Sequence, residues 1–398
     1  MPTPEIEILN SLVSRVFQIE DFMMGDSAQG AIARYRGHLI SEDSVSAYDQ
    51  LADSLKPYDI TPLFRLDHGQ QLVFLAPKKP DPKPTRVSIN IVLFILTVLS
   101  VMLVGAEQFV TPTLPGILGQ VIAVFKTLLS GWPYALSLMS ILLAHEFGHY
   151  FMSRHHKTAA TLPYFIPMPF PPLGTMGAAI LMQGTPKNKR VLFDIGVAGP
   201  LAGIIVAIPV LFYGLSLSHL AVISPINGVI EEEGNSLLYL LAKYFMFGKF
   251  LPAPISLHGM TFGLYWLKYF FTGQPIPNGA TDVFVSSIAF AGWAGLLVTA
   301  LNLIPAGTLD GGHLIYSLFG DSAKKLFPFI WGVMILLGIF WSGWWLWAVL
   351  LLWLGRVHAE PLDQITQLDS RRRAIAVLVI IIFLLTFTPV PFAVFSGL

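Results

Sequence analysis

The run His145-Glu146-Phe147-Gly148-His149 puts two imidazoles and a carboxylate inside an apolar stretch that begins near Trp132 and reads as a membrane span. Ionisable groups are costly in hydrocarbon, so on a spanning helix they mark function by default. Helical residues four apart differ by roughly 40° around the axis and lie about 6 Å apart along it, so His145 and His149 can close on one metal ion. Glu146 stands beside them as a proton acceptor. This spacing on a helix is that of a zinc hydrolase, in which the metal brings a water near neutral pKa and a carboxylate takes its proton. The competing reading, two buried histidines with a carboxylate partner, is disfavoured by the membrane cost.

Such a centre takes three protein ligands and a water, so a third ligand is expected from another helix at the same depth. The segment 302–313, NLIPAGTLDGGH, ends a later apolar run; Pro305 breaks the helix and leaves Asp310 just past the break. Asp310 is the expected third ligand. An Asp-Gly-Gly turn alone can equally begin an ordinary loop, and the histidine pair elsewhere tips that balance. His313 is the alternative ligand, although a buried histidine at a helix start is the commoner role. The chain has no cysteine, which excludes a thiolate site and a disulfide framework.

The rest of the chain is what a centre in lipid requires. With 54% hydrophobic and 12% charged residues and a mean hydropathy of +0.65, it reads as a polytopic α-helical membrane protein. Formal net charge is zero and there is no charged tail, so no nucleic-acid partner is expected. Spans are expected near 88–106, 132–152, 191–215, 283–303, 326–341, 343–354 and 374–392. The fifth and sixth are short of the roughly 20 residues a bilayer needs and could be one tilted helix, giving about six to seven transmembrane helices. Two are favoured. A hairpin turning at Ser342-Gly343 puts Lys78, Lys79, Lys83 and Arg86, then Arg154 and Lys157, Lys187, Lys189 and Arg190, Lys324 and Lys325, and Arg356 with Arg371 to Arg373, all on one side. That side is expected to be cytoplasmic. The segments 109–131 and 216–282, the latter with Glu231, Glu232 and Glu233, fall opposite.

Residues 1–77 read as a small soluble α+β domain on the cytoplasmic side. Ile6, Leu9, Val13, Val16 and Phe17 have helical spacing, as do Val45, Tyr48, Leu51 and Leu55. Strands are expected at 31–40, 63–66 and 71–75, the last two joined by Asp67-His68-Gly69-Gln70. Residues 78–86, rich in proline and lysine, form a linker to the membrane domain, 87–398. The polar N-terminal region is unlike a cleavable signal or transit peptide, so the first span is expected to act as the membrane signal.

Two features bear on the centre. The stretch 161–183 has five prolines in its first half and Gly174 and Gly177 at its middle, so it cannot be a regular helix. Irregular backbone facing lipid is forbidden, so a re-entrant hairpin buried in protein or lining a watery cavity is expected. Gly196, Gly199 and Gly203 form a small-residue face that would let their helix approach the metal helix, and Ala291 and Gly295 do likewise. His155 and His156 read as interfacial, and Trp341, Trp344, Trp345 and Trp347 as an aromatic belt.

With HEFGH and the Asn302 to Asp310-Gly-Gly segment in hand, the chain from about Pro84 onward resembles the site-2 protease family of intramembrane zinc metalloproteases. The stretches GTMGAAI, VAGPLAG, AFAGWAGLLVTALNLIPAGTLDGGH and EPLDQITQLDSRRRAI are similar to its chloroplast and cyanobacterial branch, named for ethylene-dependent gravitropism-deficient yellow-green plants. The resemblance implies one zinc ion on His145, His149 and Asp310, Glu146 activating water, and Asn302 assisting at the substrate backbone or oxyanion. It implies single-span membrane proteins as substrates, cut within the bilayer. A multi-pass protein of a bacterial cell membrane, or of thylakoids if cyanobacterial, is expected. The oligomeric state is not legible. A prenyl-protein peptidase, with its downstream glutamate ligand, has no counterpart to the hairpin or the DGG segment. An inactive metal-binding or substrate-sequestering pseudoprotease is the alternative, and the intact Glu146 argues against it.

Overall fold

The computed structural model describes residues 5–26, 30–67, 69–80, 85–106, 116–223, 229–275, 279–355 and 359–396. His68 of the expected turn, residues 81–84 of the 78–86 linker, residues 107–115 and Arg356 lie outside these.

The N-terminal part runs α1 (Ile6–Val13), β1 (Phe17–Asp26), β2 (Ala31–Leu39), α2 (Ser44–Leu55), β3 (Ile60–Asp67) and β4 (Gln70–Pro77). The strands form one antiparallel sheet in the order β1-β2-β4-β3, with Phe17 opposite Leu39 and Val73 opposite both Tyr35 and Phe64. Alternate residues of β2, Ala31, Ala33 and Tyr35, are buried, and Tyr48, Leu51 and Leu55 of α2 lie in the same core as Ala33 and Tyr35. The Asp43 carboxylate accepts the Val45 N–H at 3.2 Å and so starts α2 where the helical spacing begins. The expectation for Phe17 fails. The helix stops at Val13, and Phe17 opens a strand whose pairing with β2 outweighs the helical spacing.

The remainder carries α3 (Val87–Val104), α4 (Gly116–Ser130), α5 (Trp132–His155), β5 (Tyr164–Pro167), β6 (Thr175–Ala179), α6 (Lys189–Ser216), β7 (His219–Val222), β8 (Val229–Glu233), α7 (Leu237–Phe247), α8 (Phe262–Thr272), β9 (Thr281–Phe284), α9 (Ser287–Asn302), α10 (Asp310–Phe319), α11 (Phe327–Leu337), α12 (Gly343–Leu354), α13 (Ser370–Thr386) and β10 (Phe392–Ser396). Among the described residues, α3 and α6 are long and apolar enough to cross a membrane, and α4 with α5, bent by 48°, makes a third candidate. By this measure the expected six to seven are not reached, because α9, α11, α12 and α13 have 16, 11, 12 and 17 residues.

Two span limits are corrected. Residues 281–284 pair with β7 instead of extending α9, whose N-terminus is set by Ser286 Oγ accepting the Ala289 N–H at 3.1 Å. α13 ends at Thr386, before two prolines, and Phe392 then joins β8 as a strand. Residues 327–354 form two helices.

Helices α5, α6 and α9 pack closely because Gly148 and Gly292 face a neighbour's main chain and Gly295 a neighbour's side chain. A Cβ on Gly148 would stand 2.5 Å from Ala198 O, one on Gly292 2.6 Å from Leu211 Cα, and one on Gly295 2.9 Å from Ile141 Cδ1. The stretch 161–183 is a hairpin, with Tyr164 opposite Ala179 and Phe165 opposite Ala178. Its irregular backbone is satisfied by α3: Asn90 Nδ2 donates to Leu162 O and Pro163 O, and Ser100 Oγ donates to Gly174 O at 2.6 Å. Gly174, at φ +78°, lies too close to Val101 for a side chain.

The aromatic belt is corrected in part. Trp344 is 1% exposed and donates Nε1–H to Pro389 O, while Trp345 is half exposed.

Candidate metal centre

The geometry of the candidate centre starts from the helix break after Asn302. α9 stops there, residues 303–309 turn, and α10 begins at Asp310. Two glycines must follow Asp310. A Cβ on Gly311 would lie 2.0 Å from Leu303 O and one on Gly312 2.3 Å from Gly307 O, so only bare backbone lets α10 start against the turn. This seats the Asp310 carboxylate at the positive end of a helix, facing α5.

His145 and His149, one turn apart on α5, are 3% and 6% exposed. Their Nε2 atoms are 3.2 Å apart, and Asp310 lies 3.3 Å from each, through Oδ2 to His145 and Oδ1 to His149. Ligand atoms bonded at about 2.0–2.1 Å to a tetrahedral ion stand about 3.3 Å from one another, which is this spacing. His149 Nδ1 is 2.7 Å from Ile195 O. A carbonyl only accepts, so Nδ1 carries the hydrogen and Nε2 is left with the lone pair a metal needs. Two nitrogens and a carboxylate oxygen fit a borderline cation such as zinc. Among the described residues, this is the group of three or more histidines and carboxylates with metal-ligand spacing.

Glu146 is 4% exposed on the same helix, and its carboxylate accepts the Ile180 N–H at the end of the hairpin. The hairpin therefore reaches the centre. Asn302 Nδ2 lies 3.1 Å from His145 Nε2, so the structure brings the side chain in from the last residue of α9. His145, Glu146, His149, Asn302 and Asp310 thus converge. His313 does not join them. It lies one turn further along α10, where a Cβ on Gly196 would stand 2.8 Å from its own Cβ.

The small-residue face of α6 serves both sides of the centre. A Cβ on Gly199 would lie 2.0 Å from His149 Nε2, and one on Gly203 3.3 Å from His145 Cβ. Sequence reading missed the Ile195 carbonyl and the Ile180 amide, because main-chain partners carry no residue-type signal. It also missed Asp194, which accepts from Arg372 Nε and Nη2 and lies 2.9 Å from His156 Nε2. His156 is tied to α6 through Asp194, which also holds Arg372 of α13. The signal was a lone aspartate inside an apolar run.

The model of "Peptidase family M50" matches residues 133–340, which include all five converging residues. The "Probable zinc metalloprotease EGY1, chloroplastic" of Oryza sativa subsp. japonica is 29% identical over 330 residues, 78% of this chain and 52% of that protein. The protein of the same name from Arabidopsis thaliana is 30% identical over 65% of this chain and 43% of its own length. "Probable zinc metalloprotease EGY2, chloroplastic" of Arabidopsis thaliana is 27% identical over 68% of this chain and 44% of its own. The chain spans about half the length of the curated relatives it matches. No solved structure matches it. A paired-histidine helix closed by the aspartate of a later helix start, within a stretch matched over more than half of the sequence, makes this chain a member of peptidase family M50.

Proposed function

We propose that the chain is an intramembrane zinc metalloendopeptidase that hydrolyses peptide bonds within transmembrane segments of other membrane proteins. The observation that carries this reading is the triangle of His145, His149 and Asp310, with edges of 3.2–3.3 Å and a buried glutamate on the same helix. His145, His149 and Asp310 hold one zinc ion. Bound there, zinc supplies Lewis acidity, polarising the scissile carbonyl and making water nucleophilic near neutral pH. Glu146 takes the water's proton and returns it to the leaving amine. The Asn302 amide donates to the carbonyl oxygen as negative charge develops on it.

A helical substrate must unwind before its peptide bond can be reached, and the freed backbone needs partners. The 164–179 hairpin offers an edge beside Glu146, to which an extended substrate adds as a strand. The apolar sequences of α9, α11, α12 and α13 support six to seven crossings, and the one-sided Lys and Arg clusters support a cytoplasmic 1–77 domain joined by 78–86 to the membrane domain 87–398. A thylakoid or bacterial cell membrane is its proposed place; the relatives' printed names say "chloroplastic".

The test is purified wild type against Glu146→Gln on a single-span membrane protein, with zinc measured in both. Cleavage should fall roughly 10²–10⁴-fold in the variant while zinc stays at one per chain. Equal cleavage would reject Glu146 as the base. Zinc binding with no cleavage by wild type of any single-span protein tried would favour the pseudoprotease.

A further inference from the structure

A pocket of about 380 Å³ opens where α5 ends, where α6 and α13 begin, and where Val45 of α2 meets them from the N-terminal domain. Its charged and imidazole lining is His155, His156, Lys157, Lys187, Arg190 and Arg372, and no lining residue is acidic. The three membrane-domain helices are fastened together beside it by Asp194, which lies 2.9 Å from His156 Nε2 and 2.6 Å from Arg372 Nη2. The Asn188 side chain caps α6 by accepting the Val191 N–H at 3.0 Å. The wall is therefore built from fixed helix ends.

The carboxylates of the region stand behind these cations instead of among them. Asp194 and Asp369 hold Arg372, Asp194 also meets His156, and Asp49 pairs with Lys187. The Lys187 pair is solvent-exposed, where an ion pair is worth little, so this ammonium can turn to another anion. Among the described residues neither Lys157 nor Arg190 makes an ion pair. Arg190 donates Nε–H to Gln367 O, and its charge reaches Asp43 and Asp369 without contact. Lys157, Lys187 and Arg190 thus keep donors for a ligand. The positive ends of α6 and α13 add to them, against the one negative end of α5. Cations gathered around one cavity repel one another, and an anion between them relieves that repulsion.

We propose that this pocket binds one phosphate group, carried by an anionic phospholipid headgroup or by a soluble phosphate compound, with Arg190, Lys157 and Lys187 as its principal donors. A terminal phosphate offers three strong acceptor oxygens, so it can take donors that arrive from α5, α6 and the turn before α6 at once, which a flat carboxylate does less well. The Arg190 guanidinium suits it by pairing two N–H groups with two of those oxygens. Place and size agree. The pocket lies at one end of the membrane helices, where basic pockets between helices meet lipid headgroups, and its volume is that of an ordinary small-ligand site. The bound group joins the N-terminal domain, through α2, to the end of α5, the helix that carries His145 and His149.

The test uses the full-length, zinc-loaded protein and has two arms. In zwitterionic detergent, equilibrium dialysis against radioactive inorganic phosphate should give one saturable ion per chain, held more weakly as sodium chloride is raised. In nanodiscs of phosphatidylcholine with a minor share of phosphatidic acid, the lipid that stays with the protein on detergent extraction should be enriched in phosphatidic acid. Arg190→Gln and Lys157→Gln should each weaken binding at least about tenfold in whichever arm shows it, with zinc content unchanged. Lys157 is exposed, so its variant folds even if the Arg190 variant does not. Binding in the first arm alone supports a soluble phosphate compound, and enrichment in the second alone supports a headgroup. Neither binding nor enrichment would overturn the proposal. So would binding that salt leaves unchanged, or binding that both variants keep at wild-type strength, which would place the anion elsewhere, on the zinc for example.

Discussion

Gly199 of α6 meets His149 of α5 so closely that a Cβ there would stand 2.0 Å from Nε2, the nitrogen that faces Asp310. The glycine belongs to the centre by leaving space. Gly199→Ala favours the helix by propensity yet must push the imidazole aside, so zinc affinity should fall roughly 10–100-fold while helicity is kept. Gly203→Ala, whose Cβ would lie 3.3 Å from His145, should cost distinctly less. Competition with a chromophoric zinc chelator measures both. Equal affinities for wild type and Gly199→Ala would mean the ring is free to move.

Asn302 touches His145 Nε2 but is not needed to complete the ligand set. Asn302→Ala should keep one zinc per chain and lose cleavage by roughly 10²–10³-fold, the loss typical of a removed oxyanion donor. Loss of zinc in step with activity would make it a support of His145 instead.

Met176 is largely exposed near the start of β6, the strand that leads to Ile180 beside Glu146. Met176→Pro removes a backbone donor and fixes φ without touching the centre. Cleavage should be lost with zinc content unchanged, whereas Met176→Ala should cleave almost normally. Full cleavage by the proline variant would remove the strand-addition step.

The N-terminal sheet is held by the loop at 359–369. Phe64 N–H donates to Leu362 O at 2.9 Å, and Gln364 N–H to Phe64 O at 3.0 Å. At the heart of this clasp the buried Asp363 accepts the Ile365 N–H at 2.7 Å and bonds the Thr366 hydroxyl. Burial nevertheless holds its carboxyl above the ordinary 3.8. A raised carboxyl pKa means that the folded clasp binds the proton more tightly than the free loop. Its contribution is full below about 3.8 and fades as pH rises through the folded value. Asp363→Asn should flatten this dependence. Melting temperatures of both forms between about pH 4 and 7 test it, and parallel curves would assign the dependence to other groups.

What was legible in the sequence is what short-range chemistry dictates. Residues four apart on a helix must share a face, so His145 and His149 stood out as a candidate metal pair. Prolines cannot continue a helix, so 161–183 declared a hairpin and Pro305 a break. Composition declared the membrane. Trp344 was misplaced because an indole packs equally well against lipid or protein, and residue type alone does not choose.

The tertiary structure decided which distant groups meet. Bare backbone at Gly311 and Gly312 lets α10 start where Asp310 meets both imidazoles, and the depth of the α5–α6 crossing puts Gly199 and the Ile195 carbonyl on His149. Phe17 pairs as a strand and residues 281–284 leave α9 because hydrogen bonds to β2 and β7, far along the chain, outweigh local propensity. A main-chain carbonyl or amide looks the same at every position of a sequence, so Ile195 and Ile180 acquire their roles only when packing aims them at His149 and Glu146.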